Sequence, residues 1–231
     1  DIEWWEDNYL LKLIFPFNLK TSKATYRIPY GLIERKTTRK SKKEKAMFEV
    51  PSLGMVNLKG ESFGITLVIF AKYGFDVEGS EVRVTLLRSP YSFDRTSCPD
   101  ILADRGKHQI FYRLYIHAPE ENPLKFWYEF NYPPFLLPYS FTAPSPLFHL
   151  QPENLIVAHW RKKDDGILLR LEETKGEKGE GRLKTVLPVK EVFLADILGH
   201  PQQKIKLKGK EWIFPFQSRE IVTLWLKLEG K

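Results

Sequence analysis

Charged side chains collect around one stretch of the chain, residues 72–117. Two apolar runs within it, residues 82–87 and 109–116, have the composition of β-strands, and a long polar loop separates them. Aspartates, arginines and histidines lie in this loop and at the strand ends. Loops on a rigid β scaffold are where proteins commonly place ligand contacts, so we expect any binding site here first.

The carboxylates of this stretch could support acid–base chemistry only as a pair. A glycosidase needs two carboxyl groups roughly 5–9 Å apart, one as acid/base and the other as nucleophile or base. Asp76, Asp94, Asp100 and Asp104 are candidates, but only by their closeness to the loop. No complete catalytic set is evident, so an enzymatic activity would need a part of the protein beyond these residues.

The histidines do not show the spacing of a metal site. His108 and His117 bracket one predicted strand, and their odd separation places them on opposite faces. The chain has no HxH, HExxH or CxxC pattern. We therefore expect no metal site within the chain and a structural role for these two histidines and for His149, His159 and His200.

Several short motifs, taken in order, resemble one family. KYGFDV, LLRSP, ADRGKH and the aromatic-rich strand closing on His117 resemble the C-terminal β region of the glycoside hydrolase family 38 α-mannosidases. FPFNLKTSKATYRIPYGLIER and AMFEVP upstream resemble the same family. Several ordered motifs are more specific than one short pattern. The resemblance covers the first half of the chain well and the last third loosely.

This resemblance implies the C-terminal portion of a zinc-dependent, retaining α-mannosidase. In the family, the zinc ligands and the aspartate nucleophile belong to an N-terminal α/β domain. We therefore expect this chain to hold no zinc and to be inactive alone. The implied partners are that catalytic domain and α-mannosides or mannose-containing oligosaccharides.

The resemblance also implies a site residue, because one loop of the family's β region brings an arginine near the sugar-binding cleft. The matching position is Arg105, and Asp104 and Arg88 are the next candidates. A guanidinium suits this role, since its planar donors can bridge sugar hydroxyls and carboxylates. The alternative is structural: Arg88 and Asp104 could form an ion pair that fastens the loop.

The chain departs from the family at residues 36–45. Family members usually read E-R-P-T-H-x-N-T-S-W-D here, whereas this chain reads ERKTTRKSKKE. Substrate preference could therefore differ from that of other α-mannosidases. The segment has no apolar periodicity, so we expect it to be exposed and mobile.

Composition limits the remaining classes. The 231 residues are 42% hydrophobic and 14% aromatic, which excludes disorder, and no apolar run approaches the roughly 20 residues of a membrane span. We expect a soluble chain without a membrane partner. Cys98 is the single cysteine and cannot form an internal disulfide, so the cytoplasm is the expected location. The chain begins with Asp1 and is most simply a fragment or a processed subunit.

The net charge of +7 raises the question of a nucleic-acid partner. Much of the excess lies in two runs, residues 35–45 and 204–210, that lack the interleaved aromatics of a single-strand binder. A solvated surface is the favoured interpretation. Homo-oligomer formation is left open.

The strand patterns predict an all-β chain with one short helix at most. Residues 9–17 alternate, and we expect them to pair with the strand at residues 24–29. A strand is expected at residues 62–70, and its nearly continuous apolar run GITLVIF, residues 64–70, indicates a strand covered on both faces. The only helix is expected between Pro123 and Pro133.

The predicted domains are a larger, supersandwich-like antiparallel β-sandwich over residues 1–131, a Pro-rich connector over 132–146 and a smaller β-sandwich over 147–231. Within the smaller domain, residues 176–181 are expected to form a hairpin tip rather than a phosphate loop, because a strand and not a helix follows. An alternative function is a stand-alone carbohydrate-binding or interaction module without catalysis. Exposed aromatic side chains grouped together would favour it.

Overall fold

The structure, a computed structural model, describes residues 1–90, 103–133 and 146–229. The chain divides into two compact units, Asp1–Pro134 and Phe135–Lys231. The predicted domain limits at residues 131 and 147 stay a prediction, and residues 134–145 of the predicted connector lie outside the described residues. Cys98 also lies outside them.

The first unit consists of short strands and two helices. Its elements are β1 Ile2–Trp4, β2 Tyr9–Pro16, β3 Lys23–Ile28, β4 Gly31–Lys36, α1 Lys42–Ala46, β5 Val50–Pro51, β6 Met55–Lys59, β7 Gly64–Ile69, β8 Gly74–Glu78, β9 Glu81–Ser89, β10 Gly106–His108, β11 Tyr112–His117 and α2 Leu124–Asn131.

Two antiparallel sheets form the sandwich of this unit. One has the strand order β11-β7-β6-β3-β4 and the other β2-β9-β8-β5, and one apolar cluster draws on both. Every residue of β7 is buried, which confirms the prediction from its continuous apolar run. The rings of Phe15 and Tyr112 lie 5.6 Å apart, so the edge strands β2 and β11 face each other. β1 and β10 form a separate two-stranded ribbon.

The predicted pairing of the first two long strands is wrong. β2 pairs with β9, whereas β3 pairs with β4 and β6 in the other sheet. Leu11 and Phe15 of β2 pack against the same core as Ala24 and Tyr26 of β3. Alternation identifies the buried face of a strand but not its hydrogen-bonded neighbour, and here the two strands meet across the core instead.

The basic segment at residues 36–45 is more ordered than predicted, and α1 makes the expectation of at most one helix wrong. Ser41 accepts a hydrogen bond from the backbone N–H of Glu44, whose carboxylate accepts from the backbone N–H of Ser41 in return. This capping box starts a helix without any apolar face.

The second helix, α2, was predicted and is confirmed. Its first backbone N–H groups include that of Leu124, which donates to the side chain of Asn122. Leu124 and Phe126 are buried, and the indole N–H of Trp127 donates to the carbonyl of Leu53 at 2.6 Å. The helix is thereby fixed against the first unit. No helix in the described part of the chain is long and apolar enough to cross a membrane.

The second unit is a β-sandwich as well. Its strands are β12 Phe148–Gln151, β13 Leu155–Lys163, β14 Gly166–Glu173, β15 Gly179–Thr185, β16 Val189–Ala195, β17 Pro201–Lys204, β18 Lys206–Lys208, β19 Glu211–Phe216 and β20 Ile221–Leu228. They form sheets of order β12-β15-β19-β18 and β13-β14-β20-β16-β17, and one buried apolar cluster includes residues of both. The all-β class is confirmed.

The predicted hairpin tip at residues 176–181 is wrong, because β14 and β15 belong to different sheets, residues 174–178 connect the two strands, and residues 179–181 begin β15. Glu173 fixes this connection: the carboxylate accepts from the backbone N–H groups of Lys175 and Gly176, each at 2.8 Å. The N–H of Arg219 donates to the same carboxylate at 2.8 Å. Burial alone would raise the pKa of Glu173, but these hydrogen bonds lower the pKa below its usual value.

Candidate functional site

The structure brings Arg88, Asp104 and Arg105 together at one end of the first unit. Arg88 is the penultimate residue of β9. Asp104 and Arg105 directly precede β10. β10 pairs antiparallel with β1, with Trp4 opposite Gly106. The β1–β10 ribbon therefore positions the loop that carries the two candidate residues.

Asp104 is held by both its side chain and its main chain. Its carboxylate accepts a hydrogen bond from the backbone N–H of Arg88 at 2.7 Å, and its carbonyl oxygen lies 2.8 Å from Nε2 of His108. Its φ is 49°, in the left-handed region that aspartate tolerates better than most residues. The expected ion pair between Arg88 and Asp104 is wrong, because Arg88 contributes its main chain and no ion pair joins these two described side chains.

Arg105 forms an ion pair with Asp7, which lies between β1 and β2. The Arg105 side chain retains 24% exposure and that of Asp7 44%. Ser89 secures the Asp7 segment, since its hydroxyl accepts from the indole N–H of Trp4 at 3.1 Å and its carbonyl accepts from the N–H of Asn8 at 2.6 Å. The arginine is thus oriented without being removed from solvent.

This arrangement suits recognition of polar ligands. Trp5 and Tyr9, on either side of Asp7 in the sequence, are exposed at 63% and 62%. A guanidinium has five N–H donors, so pairing with one carboxylate leaves donors for a ligand, and exposed rings can stack on sugar faces. The cluster combines a positioned cation with aromatic surface.

The other carboxylates near the loop in sequence do not complete a catalytic pair. Asp76 is 2% exposed on β8, and it pairs with Arg39 and, at 2.9 Å, with Arg83. The hydrogen bond to Asp76, followed by that to Glu81, raises the pKa of Arg83 above its usual value. Asp76 is therefore a structural ion-pair centre. Asp94 and Asp100 lie outside the described residues.

The two central histidines lie on different strands, β10 and β11, and do not bracket one strand as predicted. His117 is buried and has a structural role: Nε2 lies 2.9 Å from the hydroxyl of Thr66, and Nδ1 lies 2.7 Å from the carbonyl oxygen of Ala118. Among residues 1–90, 103–133 and 146–229, no group of three or more His, Cys, Asp or Glu side chains could hold a metal ion.

Sequence reasoning missed Asp7 and Ser89. Asp7 is far from the Arg105 loop in sequence and stands in no motif, whereas Ser89 belongs to the LLRSP motif but was not singled out there. The motif could have directed attention to Ser89, but the pattern of strands and turns does not show that Ser89 contacts Trp4 and Asn8. Only the pairing of β1 with β10 brings Asp7 to the arginine.

Comparison with known proteins identifies the class to which this fold belongs. The model of the glycosyl hydrolases family 38 C-terminal domain matches residues 1–100. The model of the glycosyl hydrolases family 38 C-terminal beta sandwich domain matches residues 154–224. The matches define a C-terminal β region of a glycoside hydrolase. The chain belongs to glycosyl hydrolase family 38, as part of its C-terminal region.

Curated relatives agree with this assignment. The chain is 28% identical over 246 residues to human alpha-mannosidase 2C1, an alignment that covers 99% of this chain and 23% of that protein. It is 34% identical over 131 residues to alpha-mannosidase of Saccharomyces cerevisiae, covering 56% of this chain and 12% of that protein. The chain thus spans about a quarter or less of the length of these relatives.

A solved structure shows the same fold. The alpha-mannosidase from Enterococcus faecalis V583 matches with a TM-score of 0.70 over 95% of this chain and 26% of that one. The sequence identity is 15%, so this likeness concerns the fold alone.

Proposed function

We propose that the chain is the C-terminal portion of a zinc-dependent, retaining α-mannosidase and that it packs on a catalytic α/β domain outside these residues. The observation that carries the proposal is the match of two family 38 C-terminal models, in order, to the two units of the chain. The names of the relatives, all alpha-mannosidases, support α-mannosides or mannose-containing oligosaccharides as substrates.

Within this function, the Arg105 loop completes the sugar-binding cleft. Asp7 holds one side of the guanidinium, and the remaining donors face substrate hydroxyls or a catalytic carboxylate of the other domain. Preorganised donors of this kind stabilise the transition state because no reorientation is needed during the reaction. Asp104 sets the turn from which Arg105 projects, and Arg88, exposed beside it, adds a second cation at the cleft rim.

The described residues do not fit a zinc site, since they contain no cluster of three suitable ligands. We therefore assign the zinc and the nucleophile to the catalytic domain, and no chemical step to a metal held by this chain. The cytoplasm is the proposed location, because the chain's single cysteine cannot form an internal disulfide.

The test compares this chain with the full-length protein. We expect the full-length protein to hydrolyse an aryl α-mannoside and to retain about one zinc ion after dialysis against a weak chelator. The 231-residue chain alone should do neither. Stoichiometric zinc or mannosidase activity in the chain alone would overturn the proposal that the zinc and the nucleophile belong to the catalytic domain.

A second candidate function is favoured by one observation. Phe70, Tyr73 and Phe111 are 57–60% exposed, and the first two line a depression of about 170 Å³ together with Trp127 and Asn131. Aromatic rings can stack on the face of a sugar, and the side-chain amide of Asn131 can form hydrogen bonds with its hydroxyls. The chain could therefore serve as a stand-alone carbohydrate-binding module. Calorimetry of the 231-residue chain with a mannose oligosaccharide decides this: binding that Tyr73→Ala abolishes supports the module, and no binding excludes it.

A further inference from the structure

A cavity of about 340 Å³ lies in the first unit, away from the Arg105 loop. It opens at the edge of the sandwich where β4 and β5, the outermost strands of the two sheets, are joined by the segment that contains α1. Part of its wall comes from residues 36–45, where the sequence departs from the family pattern. Its volume is at the lower end of the range for small-molecule sites and fits a monosaccharide-sized ligand.

Two side chains that line the cavity, Tyr26 and Arg35, have donors that no residue in the described part of the chain engages. Tyr26 lines the cavity and is 3% exposed, and its hydroxyl forms no hydrogen bond with any residue in the described ranges. Nε of Arg35 is enclosed, and it too has no hydrogen-bond partner within the described chain. Buried donors are normally satisfied, so the Arg35 guanidinium lacks an acceptor that a ligand could supply, and the Tyr26 hydroxyl is free to donate to the same ligand.

The charges of the cavity favour an anion. Arg39 is neutralised by the buried carboxylate of Asp76, and Glu44 is engaged by the N–H groups of its own capping box. Arg35 and Lys36 remain without an ion-pair partner among the described residues, although Lys36 lies near enough to Glu44 to affect its carboxylate. Two cations match the charge of a phosphate monoester, which is about −1.5 to −2 at neutral pH.

The remaining wall is apolar. Met47 and Phe48 form part of it and are 63% and 45% exposed, and Val50 and Val77 lie beside them. Such a wall can contact the uncharged body of a ligand, whereas a free inorganic ion would leave it uncovered. The cavity therefore combines donors for an oxyanion with a surface for a carbon skeleton.

We propose that this cavity binds a small phosphate monoester, with the phosphate oxygens on the Arg35 guanidinium and the Tyr26 hydroxyl and the organic part against Phe48 and Met47. Lys36 adds a cation at the entrance. This site goes beyond the mannosidase function proposed above and does not depend on it, because none of its residues belongs to the Arg105 cluster.

The test is calorimetric titration of the full-length protein with a hexose 6-phosphate, inorganic phosphate and the unphosphorylated hexose. We expect the hexose phosphate to bind more tightly than inorganic phosphate, and the neutral hexose not to bind at this site. Arg35→Gln should weaken hexose phosphate binding about tenfold or more, the scale of a charge-assisted hydrogen bond. Tyr26→Phe should weaken it by a smaller factor.

Lys45→Gln is the matched control, because it removes a positive charge from α1 at an exposed position that does not line the cavity. It should leave the affinity unchanged. Equal losses in Arg35→Gln and Lys45→Gln, equal binding of the neutral hexose, or no binding of any probe would each overturn the proposal. If Arg35→Gln fails to fold, Tyr26→Phe decides, since the described residues give the Tyr26 hydroxyl no hydrogen bond that the change would remove.

Discussion

The guanidinium of Arg105 forms an ion pair with the carboxylate of Asp7, and this pair ties the loop before β10 to the segment between β1 and β2. The same two segments are joined by the backbone pairing of Trp4 with Gly106. The arginine is thus fixed from two directions while a quarter of its side chain stays exposed. This exposure leaves part of the guanidinium accessible to a ligand.

Asp76 should be the most sensitive charged position of the first unit. It is 2% exposed between Arg39 and Arg83, so Asp76→Asn leaves two partly buried guanidinium groups without their carboxylate. We expect the free energy of unfolding to fall by about 3–5 kcal/mol, measured by chemical denaturation of the first unit's transition. Glu81→Gln, which removes a more exposed partner of Arg83, should cost about 1 kcal/mol or less. Equal effects of the two changes would contradict the central role of Asp76.

Arg39 should control the accessibility of the basic segment at residues 36–45. Its guanidinium binds Asp76 and also donates to the carbonyl of Val77 at 3.1 Å, which docks the segment on β8. Arg39→Ala should therefore speed tryptic cleavage within this segment, because local opening exposes the backbone. Lys40→Ala removes one tryptic site too, but at an exposed position, and should not speed cleavage. Unchanged cleavage in Arg39→Ala, followed by mass spectrometry, would show that the segment is held by other contacts.

Glu173 should make the second unit sensitive to acid. Its pKa is lowered in the folded state, so its stabilising contribution is present above the unfolded value of about 4.3 and is lost as the pH falls through the folded value. Glu173→Gln should reduce the free energy of unfolding by about 2 kcal/mol at pH 7, and the difference from wild type should shrink below about pH 4. Glu180→Gln, at an exposed position, should show neither effect. A difference for Glu173→Gln that stays constant with pH would refute this.

The sequence predicted those elements whose formation depends on neighbouring residues, namely the buried strand β7 and the helix α2. The apolar run of β7 and the proline-bounded helix α2 were both predicted, because burial on two faces and the position of prolines are visible in the sequence itself. The order of family motifs predicted the family. The partner of β2 could not be predicted, since alternation specifies a face and not a neighbour.

The contacts that position the candidate site join residues distant in sequence, so the local sequence pattern did not predict them. The sequence predicted Arg39 to be one of several solvated cations, whereas in the structure it forms an ion pair with Asp76 of β8. Arg105 was identified through family resemblance, yet its partner Asp7 comes from a segment that no motif covers. Likewise, the Arg88 guanidinium was expected to pair with Asp104, whereas the backbone N–H of Arg88 makes the contact, a difference that composition cannot reveal.

The central claim is that the Arg105 loop contributes to a mannosidase cleft, and Arg105→Ala in the full-length protein tests it. Loss of a positioned, charge-assisted hydrogen bond should lower kcat/KM for an aryl α-mannoside by about 1–3 kcal/mol of transition-state stabilisation. Asp7→Asn should cause a smaller loss, because the guanidinium remains but is less well oriented.

Lys107→Ala serves as the control, since Lys107 is on β10 and its side chain is 83% exposed. It should leave both kcat/KM and the melting temperature close to wild type. The decisive measurement is kcat/KM together with the melting temperature for Arg105→Ala. A large loss of kcat/KM with a nearly unchanged melting temperature is the predicted result, and wild-type kcat/KM with a much lower melting temperature would show that Arg105 only fastens its loop.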